Sequence, residues 1–417
     1  MPRGVVVGGN SSELSRRRCS YFADATASED SSRAKYPANR RWVASAHSVP
    51  RARIVSMSDD TAEVGVITRR AYARIGLFGN PSDGYFGRTV SVSIQNFFAE
   101  VTLVPDQQMF SSRVSFEPGP YDWNAFESLD ALASHTQKHG HYGGVRLLRA
   151  LCCKFHAWCA ERGVRLHGRG FSLKYKTNIP KQTGLSGSSS IIVAGLKCLM
   201  RHYDVDIPME DRPALVLSCE TDLGINAGLQ DRVIQCYEGV VAMDFTDESA
   251  VRATGRGVYT RLPEHCLPPL HLVYDENPSD SGKTHATVKS RWEGGDPFVR
   301  EKMREVAKVA EDAVAILSTV APGGPNDAQT AALGALMNRN FDLRREMFGD
   351  ACLGARNLEM VATARSAGAA AKFTGSGGAA VAMCPEGDAQ AEATYAACRA
   401  KGFEVARVIL NPAPSAA

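Results

Sequence analysis

The stretch TNIPKQTGLSGSSSIIVAGLKCLM, Thr177–Met200, constrains this chain more than any other. Pro180, Gly184, Leu185, Ser186, Gly187, Ser188, Ser189 and Ser190 stand directly before an apolar run. In that run Ile191, Val193, Ala194, Leu196, Leu199 and Met200 approximate one helix face, and the serines occupy its N-cap and first turn. A helix N-terminus presents unpaired N–H groups and partial positive charge, so a glycine-rich turn opening one is a natural anion seat. Gly184 and Gly187 let the backbone curl close to a phosphate, and the hydroxyls can add hydrogen bonds or a magnesium contact. A Gly/Ser turn that merely caps a core helix reads the same locally. The rest of the chain has to decide.

With 417 residues, 44% hydrophobic and 22% charged, the chain can bury a full core, and two domains are expected. No apolar run reaches the roughly 18 residues of a membrane span, so no membrane partner is expected. The eleven cysteines include no C-x-x-C pair. Their one tight group, Cys152, Cys153 and Cys159, falls in an amphipathic stretch and reads as reduced thiols, which points to a cytoplasmic protein. Residues 1–60 carry ten Lys/Arg against six Asp/Glu, so they hold +4 of a total of +3 and leave about −1 for the body. The body therefore has no basic stripe, and no nucleic-acid partner is expected. Residues 1–62, rich in Ser, Ala and Arg, read as a disordered basic extension. Glu13, Asp24, Glu29 and Asp30 weigh against an organelle transit peptide there.

From Gly65 onward the pattern is regular. VGVITRRAYARIGLFGN reads as a strand, a turn and a second short strand, and RTVSVSIQNFFAEVTLVP as long strands. Helices are expected at about 144–162, 213–220, 296–319, 330–348, 354–368 and 388–401, besides the one after the Gly/Ser turn. Pro and Gly at 250–269 mark a boundary between halves. Strands and helices in segregated groups indicate an α+β fold.

Three more constellations carry chemistry. Glu220 and Asp231 lie eleven residues apart around the turn Gly224–Gly228. Two such carboxylates suit a metal contact and the orientation of an acceptor hydroxyl. A solvated acidic loop has the same spacing, and Arg232 could simply pair with Asp231. In FTGSGGAAVAM, Phe373–Met383, a strand breaks at Gly375, Ser376 and Gly377 and resumes. That break implies close approach to a ligand or to the first Gly/Ser turn, unless it is a plain hairpin. Arg74 projects from a short strand, with Asn80 and Asp83 in the turn beyond, and suits a clamp on developing negative charge. The NPSD echo at 277–280 is too short to be a repeat.

Together these motifs resemble the GHMP kinase superfamily. PKQTGLSGSSS is similar to its P-x-x-x-G-L-[G/S]-S-S phosphate motif, with Gly187 where serine is usual. GINAGLQD resembles galactokinase's G-x-P-C-G-x-x-D, and RIGLFGNPSD its R-V-N-L-I-G-E-H-T-D. KFTGSGGA matches the third, glycine-rich motif, and LMNRNFDLRR a shared helix. The runs TNIPKQTGLSGSSS, ENPSDSGKTH and NFDLRREMFGDACLGARNLEMV further resemble the glucuronokinases, enzymes best known from plants. The likeness covers about residues 65–412.

The resemblance implies a two-domain fold, with a ribosomal S5 domain 2-like ATP-binding half at 63–255 and a ferredoxin-like half at 256–412. It implies ATP and Mg2+ as cofactors and a small-molecule sugar acid as partner. The implied reaction phosphorylates the anomeric hydroxyl of glucuronate to glucuronate 1-phosphate, feeding UDP-glucuronate synthesis. Asp231 becomes the catalytic carboxylate beside Arg74, and Glu220 the metal ligand together with Ser188 or, second, Ser189. The glycine turns hold the nucleotide. A uronate needs a cationic partner, best a bidentate arginine; Arg344, Arg345 and Lys283 are the candidates, beside Asn80 and Asp83 on the substrate turn. A kinase for galacturonate, arabinose or galactose shares these groups, and a non-catalytic GHMP-fold regulator is the other alternative.

Overall fold

Two long strands, β1 (Ile67–Phe78) and β2 (Arg88–Pro105), pair antiparallel and organise the first half of the protein. At about 3.3 Å per residue, β2 is long enough to carry two partners in series on its other edge. β3 (Val114–Phe116) lies on β4 (Phe171–Thr177), and β4 takes the C-terminal end of β2. β5 (Val240–Asp244) takes its N-terminal end, with β6 (Val258–Leu262) outside it. The computed structural model describes residues 65–107, 111–120, 122, 128, 143–225, 227–276 and 284–414. The expected 1–62 extension, Lys283 and the 277–280 turn lie outside the described residues.

The expected turn inside 64–80 is absent, because β1 is one strand. Gly76 sits within it, where its missing side chain admits Gln230 and lets its N–H donate to Thr374 O at 2.8 Å. A register break between Tyr72 and Ala73 leaves residues 95–97 of β2 without β1 partners. The chain's last stretch docks at this break: Gln95 N–H donates to Ile409 O (2.7 Å) and Asn96 Nδ2 to Arg407 O (2.9 Å).

Helices α1 (Gly144–Glu161), α2 (Gly187–Tyr203), α3 (Arg212–Asp222), α4 (Gln230–Tyr237) and the short α5 (Glu248–Thr254) belong to this half. α2 is buried nearly throughout, which explains an apolar run wider than one face. The second sheet runs β10 (Glu404–Arg407), β7 (Leu270–Tyr274), β9 (Ala379–Met383), β8 (Ala370–Phe373), antiparallel throughout. Helices α6 (Thr284–Glu293), α7 (Pro297–Leu317), α8 (Asp327–Phe348), α9 (Asp350–Leu353) and α10 (Ala355–Ser366) separate β7 from β8. α11 (Asp388–Ala400) joins β9 to β10. This is the strand, helix, strand, strand, helix, strand order of a ferredoxin-like unit. β6 pairs with β5, so the first sheet extends past the boundary expected at 255/256. One hydrophobic core runs from Ile75 and Leu77 on β1 to Phe341 on α8 and Phe373 on β8. No described helix is long and apolar enough to cross a membrane.

Candidate active site

β1 brings Arg74 to the first turn of α4, where two parallel hydrogen bonds join it to Asp231. Nε donates to Oδ1 at 2.6 Å and Nη2 to Oδ2 at 2.7 Å. Nη1 donates to the carbonyls of Gly184 (2.6 Å) and Thr374 (3.2 Å), so one buried guanidinium ties together three of the sequence motifs. Ser186 Oγ donates to Asp231 Oδ2 at 2.5 Å. Burial acts to raise the Asp231 carboxyl, but Arg74, Arg232 and these hydrogen bonds outweigh it and hold it at about 2.

Ser186 is the N-cap of α2, in the left-handed region at φ 65°, yet its hydroxyl caps nothing in the helix. The N–H groups of the first turn are thus left to a ligand, as an anion seat requires. The serines that follow diverge. Ser188 lines the cleft, and its Oγ donates to Glu220 Oε1 at 2.7 Å. Ser189 and Ser190 are fully buried and bond back to Ser186 O, and Gln235 also donates to Ser190. Between the two serines weighed for the metal, only Ser188 reaches the carboxylate. Glu220, at the end of α3, is fully buried and grips Arg232 through Oε2. Arg232 therefore pairs chiefly with Glu220; its distance to Asp231 is 3.6 Å. At Gly187 a Cβ would meet only Ile179, at 3.5 Å, so packing does not demand glycine there.

Elsewhere glycine is required. A Cβ on Gly184 (φ +63°) would stand 2.7 Å from Gly377 O, and one on Gly375 would stand 2.3 Å from Gly184 O. The third motif thus packs against the Gly/Ser turn. Gly375 and Ser376 line the cleft, whereas Gly377 packs on Asn357. The cleft holds about 510 Å³, and Pro180, Gly184, Leu185, Ser186, Gly187 and Ser188 form one wall. Among the described residues no cluster of three or more His, Cys, Asp or Glu could hold a metal by itself.

Asn80, Asp83 and Arg344, expected on the acceptor side, line the same cleft. Gln230 N–H donates to Asp83 Oδ2 at 3.2 Å. Burial first, and the Asp231 charge second, push the Asp83 carboxyl up to about 6. Arg344 is 3% exposed; Nη1 donates to Gly375 O (2.7 Å), while Nε has no partner. Burial lowers its pKa to about 10, and no carboxylate among the described residues pairs with it. Its ring partners are Phe348 and Phe373. Arg345 departs from expectation. The next residue on α8, it faces solvent and holds Asp350 through two bonds of 2.6 and 2.7 Å.

Sequence reasoning overlooked two buried residues that hold the turn at Gly79 and Asn80. Asn340 Oδ1 accepts from Gly79 N–H (2.8 Å), and its Nδ2 donates to Asn80 O (3.0 Å). Lys372 Nζ donates to Gly76 O (2.7 Å), Phe373 O (2.8 Å) and Asn80 Oδ1 (2.5 Å). Burial, then Arg344 and Arg74, draw Lys372 well below the ordinary lysine value. A charged residue inside the apolar run AGAAAKF was the available signal for it.

Comparison with known proteins bears on the family and the fold. The description "GHMP kinases N terminal domain" matches residues 147–239, and "GHMP kinases C terminal" matches 328–402. Probable glucuronokinase 2 of Arabidopsis thaliana is 52% identical over 353 residues, 84% of this chain and 92% of that protein. Glucuronokinase 1 of the same plant is 49% identical over 360 residues, 86% and 96% of the two chains. The crystal structure of Lactococcus lactis galactokinase complexed with galactose shares the fold at 15% identity, with a TM-score of 0.63 over 85% of this chain and 95% of that one. With half of its residues identical to these plant enzymes across most of its length, this chain belongs to the GHMP kinase family.

Proposed function

We propose that the chain is an ATP-dependent sugar 1-kinase that phosphorylates the anomeric hydroxyl of D-glucuronate. The observation that carries the substrate is Arg344, a buried guanidinium opening on the cleft without a carboxylate partner among the described residues. A uronate's carboxylate supplies that partner, and a neutral sugar does not. The plant relatives' names agree with it.

In this reading the triphosphate lies along the Gly/Ser turn, against the open N–H groups of α2. Ser188 Oγ and Glu220 Oε1 offer one hydroxyl and one carboxylate oxygen side by side. That set fits Mg2+, which keeps waters and phosphate oxygens as its other ligands. When bound, the ion neutralises charge on the transferring phosphoryl group. Arg74 faces the same group and fixes Asp231 in one orientation. Asp231, held near 2, is a weak base, so it acts first by accepting a hydrogen bond from the anomeric hydroxyl and aiming it. Phosphoryl transfer through a loose transition state demands little prior deprotonation. As the anomeric oxygen bonds to the γ-phosphorus, the bond from that phosphorus to the bridging oxygen breaks and ADP leaves with its electron pair. The proton on the new ester oxygen is then strongly acidic and passes to the Asp231 carboxylate.

An ADP-release assay over glucuronate, galacturonate, glucose, galactose and arabinose tests the proposal. Highest kcat/KM with glucuronate is expected. Preference for a neutral sugar would overturn the substrate, and no turnover of any sugar would favour a regulator.

A further inference from the structure

The Asn80 amide turns its oxygen to Lys372, whose Nζ donates to it. Three acceptors surround Lys372 Nζ: two backbone carbonyls and Asn80 Oδ1. That is the complement of an ammonium, which has three N–H donors and no lone pair. The amide oxygen is therefore committed to Lys372, and the Asn80 NH2 group points elsewhere. Asn80 is 4% exposed and lines the cleft, and its NH2 has no partner among the described residues. Asn340 fixes the backbone of the same turn from α8. Arg344 follows Asn340 by one helical turn, on the same face, and it also lines the cleft with a buried, unpartnered Nε.

This corner thus holds donors in want of acceptors. Arg74 is already neutralised by Asp231, while Arg344 and Lys372 have only neutral oxygens as hydrogen-bond partners. A sugar hydroxyl would bring a donor as well as an acceptor; a carboxylate only accepts. We infer that Asn80 Nδ2 and Arg344 together seat the carboxylate of the acceptor sugar, and that Lys372 is the positioning residue that sets the polarity of the Asn80 amide. The inference rests on the uronate reading above and adds the residues that impose it.

The test compares D-glucuronate with D-glucuronamide, a neutral isostere that offers an NH2 donor where the acid has an acceptor. Asn80→Asp keeps the shape, can still accept from Lys372, and replaces the free NH2 by an oxygen. Its kcat/KM should fall about a hundredfold on glucuronate and less than about tenfold on glucuronamide, with KM for ATP unchanged. Lys372→Met should raise KM for glucuronate about tenfold, with a smaller change in kcat and in KM for ATP. A purely structural lysine would instead move both substrates alike. Equal losses on the two sugars in Asn80→Asp would overturn the inference while leaving glucuronate as substrate. If the wild-type protein does not prefer glucuronate to glucuronamide, the substrate reading falls first and this inference with it. Should Lys372→Met fail to fold, Asn80→Asp alone decides.

Discussion

Arg74, Asp231, Ser186, Arg232, Glu220 and Ser188 form the closed end of one hydrogen-bond network, each charge met by an opposite one or by a hydroxyl. At its open end Arg344 and Lys372 lie buried among neutral oxygens, and the Asn80 NH2 group has no partner among the described residues. The physical consequences differ. A paired buried ion holds its geometry without a ligand, as groups that must orient reacting atoms should. A buried cation without a counter-charge carries a desolvation cost that an arriving anion can offset. In the proposed reading the first end serves chemistry and the second recognition.

Substitution at the closed end should strike turnover. Asp231→Asn should lower kcat by about 10²–10⁴ with the fold kept, measured by ADP release and circular dichroism; near-normal turnover would remove Asp231 from catalysis. At the open end, Arg344→Met should cost about 10² in kcat/KM for glucuronate, almost all of it in KM, with KM for ATP steady. Its melting temperature should hold or rise, since an apolar side chain replaces an unpaired buried charge. A loss shared equally by both substrates would erase the distinction between the ends.

Asp83 lines the same cleft, and its test is the dependence on pH. Its folded pKa, about 6, exceeds the ordinary 3.8, so the folded state binds this proton more tightly than the unfolded one. Stability should therefore be lost as pH rises from about 4 to 6 and then level off, by at most about 3 kcal/mol. Asp83→Asn should accordingly raise the melting temperature more at pH 8 than at pH 4. An equal shift at both pH values would mean that Asp83 is not held as the structure indicates. The smallest effect is expected at Arg345, whose pair with Asp350 is exposed to solvent and so contributes little. Arg345→Ala should leave kcat/KM on glucuronate within about twofold.

Much of the frame was legible beforehand. The helix after Ser186, the strand, glycine turn and strand at 370–383, and the C-terminal helices follow from local periodicity and glycine placement. The unity of β1 was not, because the run at 64–80 reads locally as two strands about a turn, and only tertiary contacts show one strand, with Thr374 and Gln230 filling the space beside Gly76. Ser188 and Ser189 were told apart by the same kind of contact: they have the same chemistry, and the helix turns one to Glu220 and the other inward.

The sequence by itself determined the α+β class, the Gly/Ser turn opening a helix, and the pair of carboxylates, because periodicity, capping and left-handed backbone are properties of short segments. Only the tertiary structure decided that Arg74 locks Asp231 across 157 residues, that Arg232 pairs with Glu220, and that Lys372 donates to Asn80. It also chose between Arg344 and Arg345. Neighbours on a helix point about 100° apart, so one arginine enters the cleft and the other meets water, a difference that depends on where α8 packs.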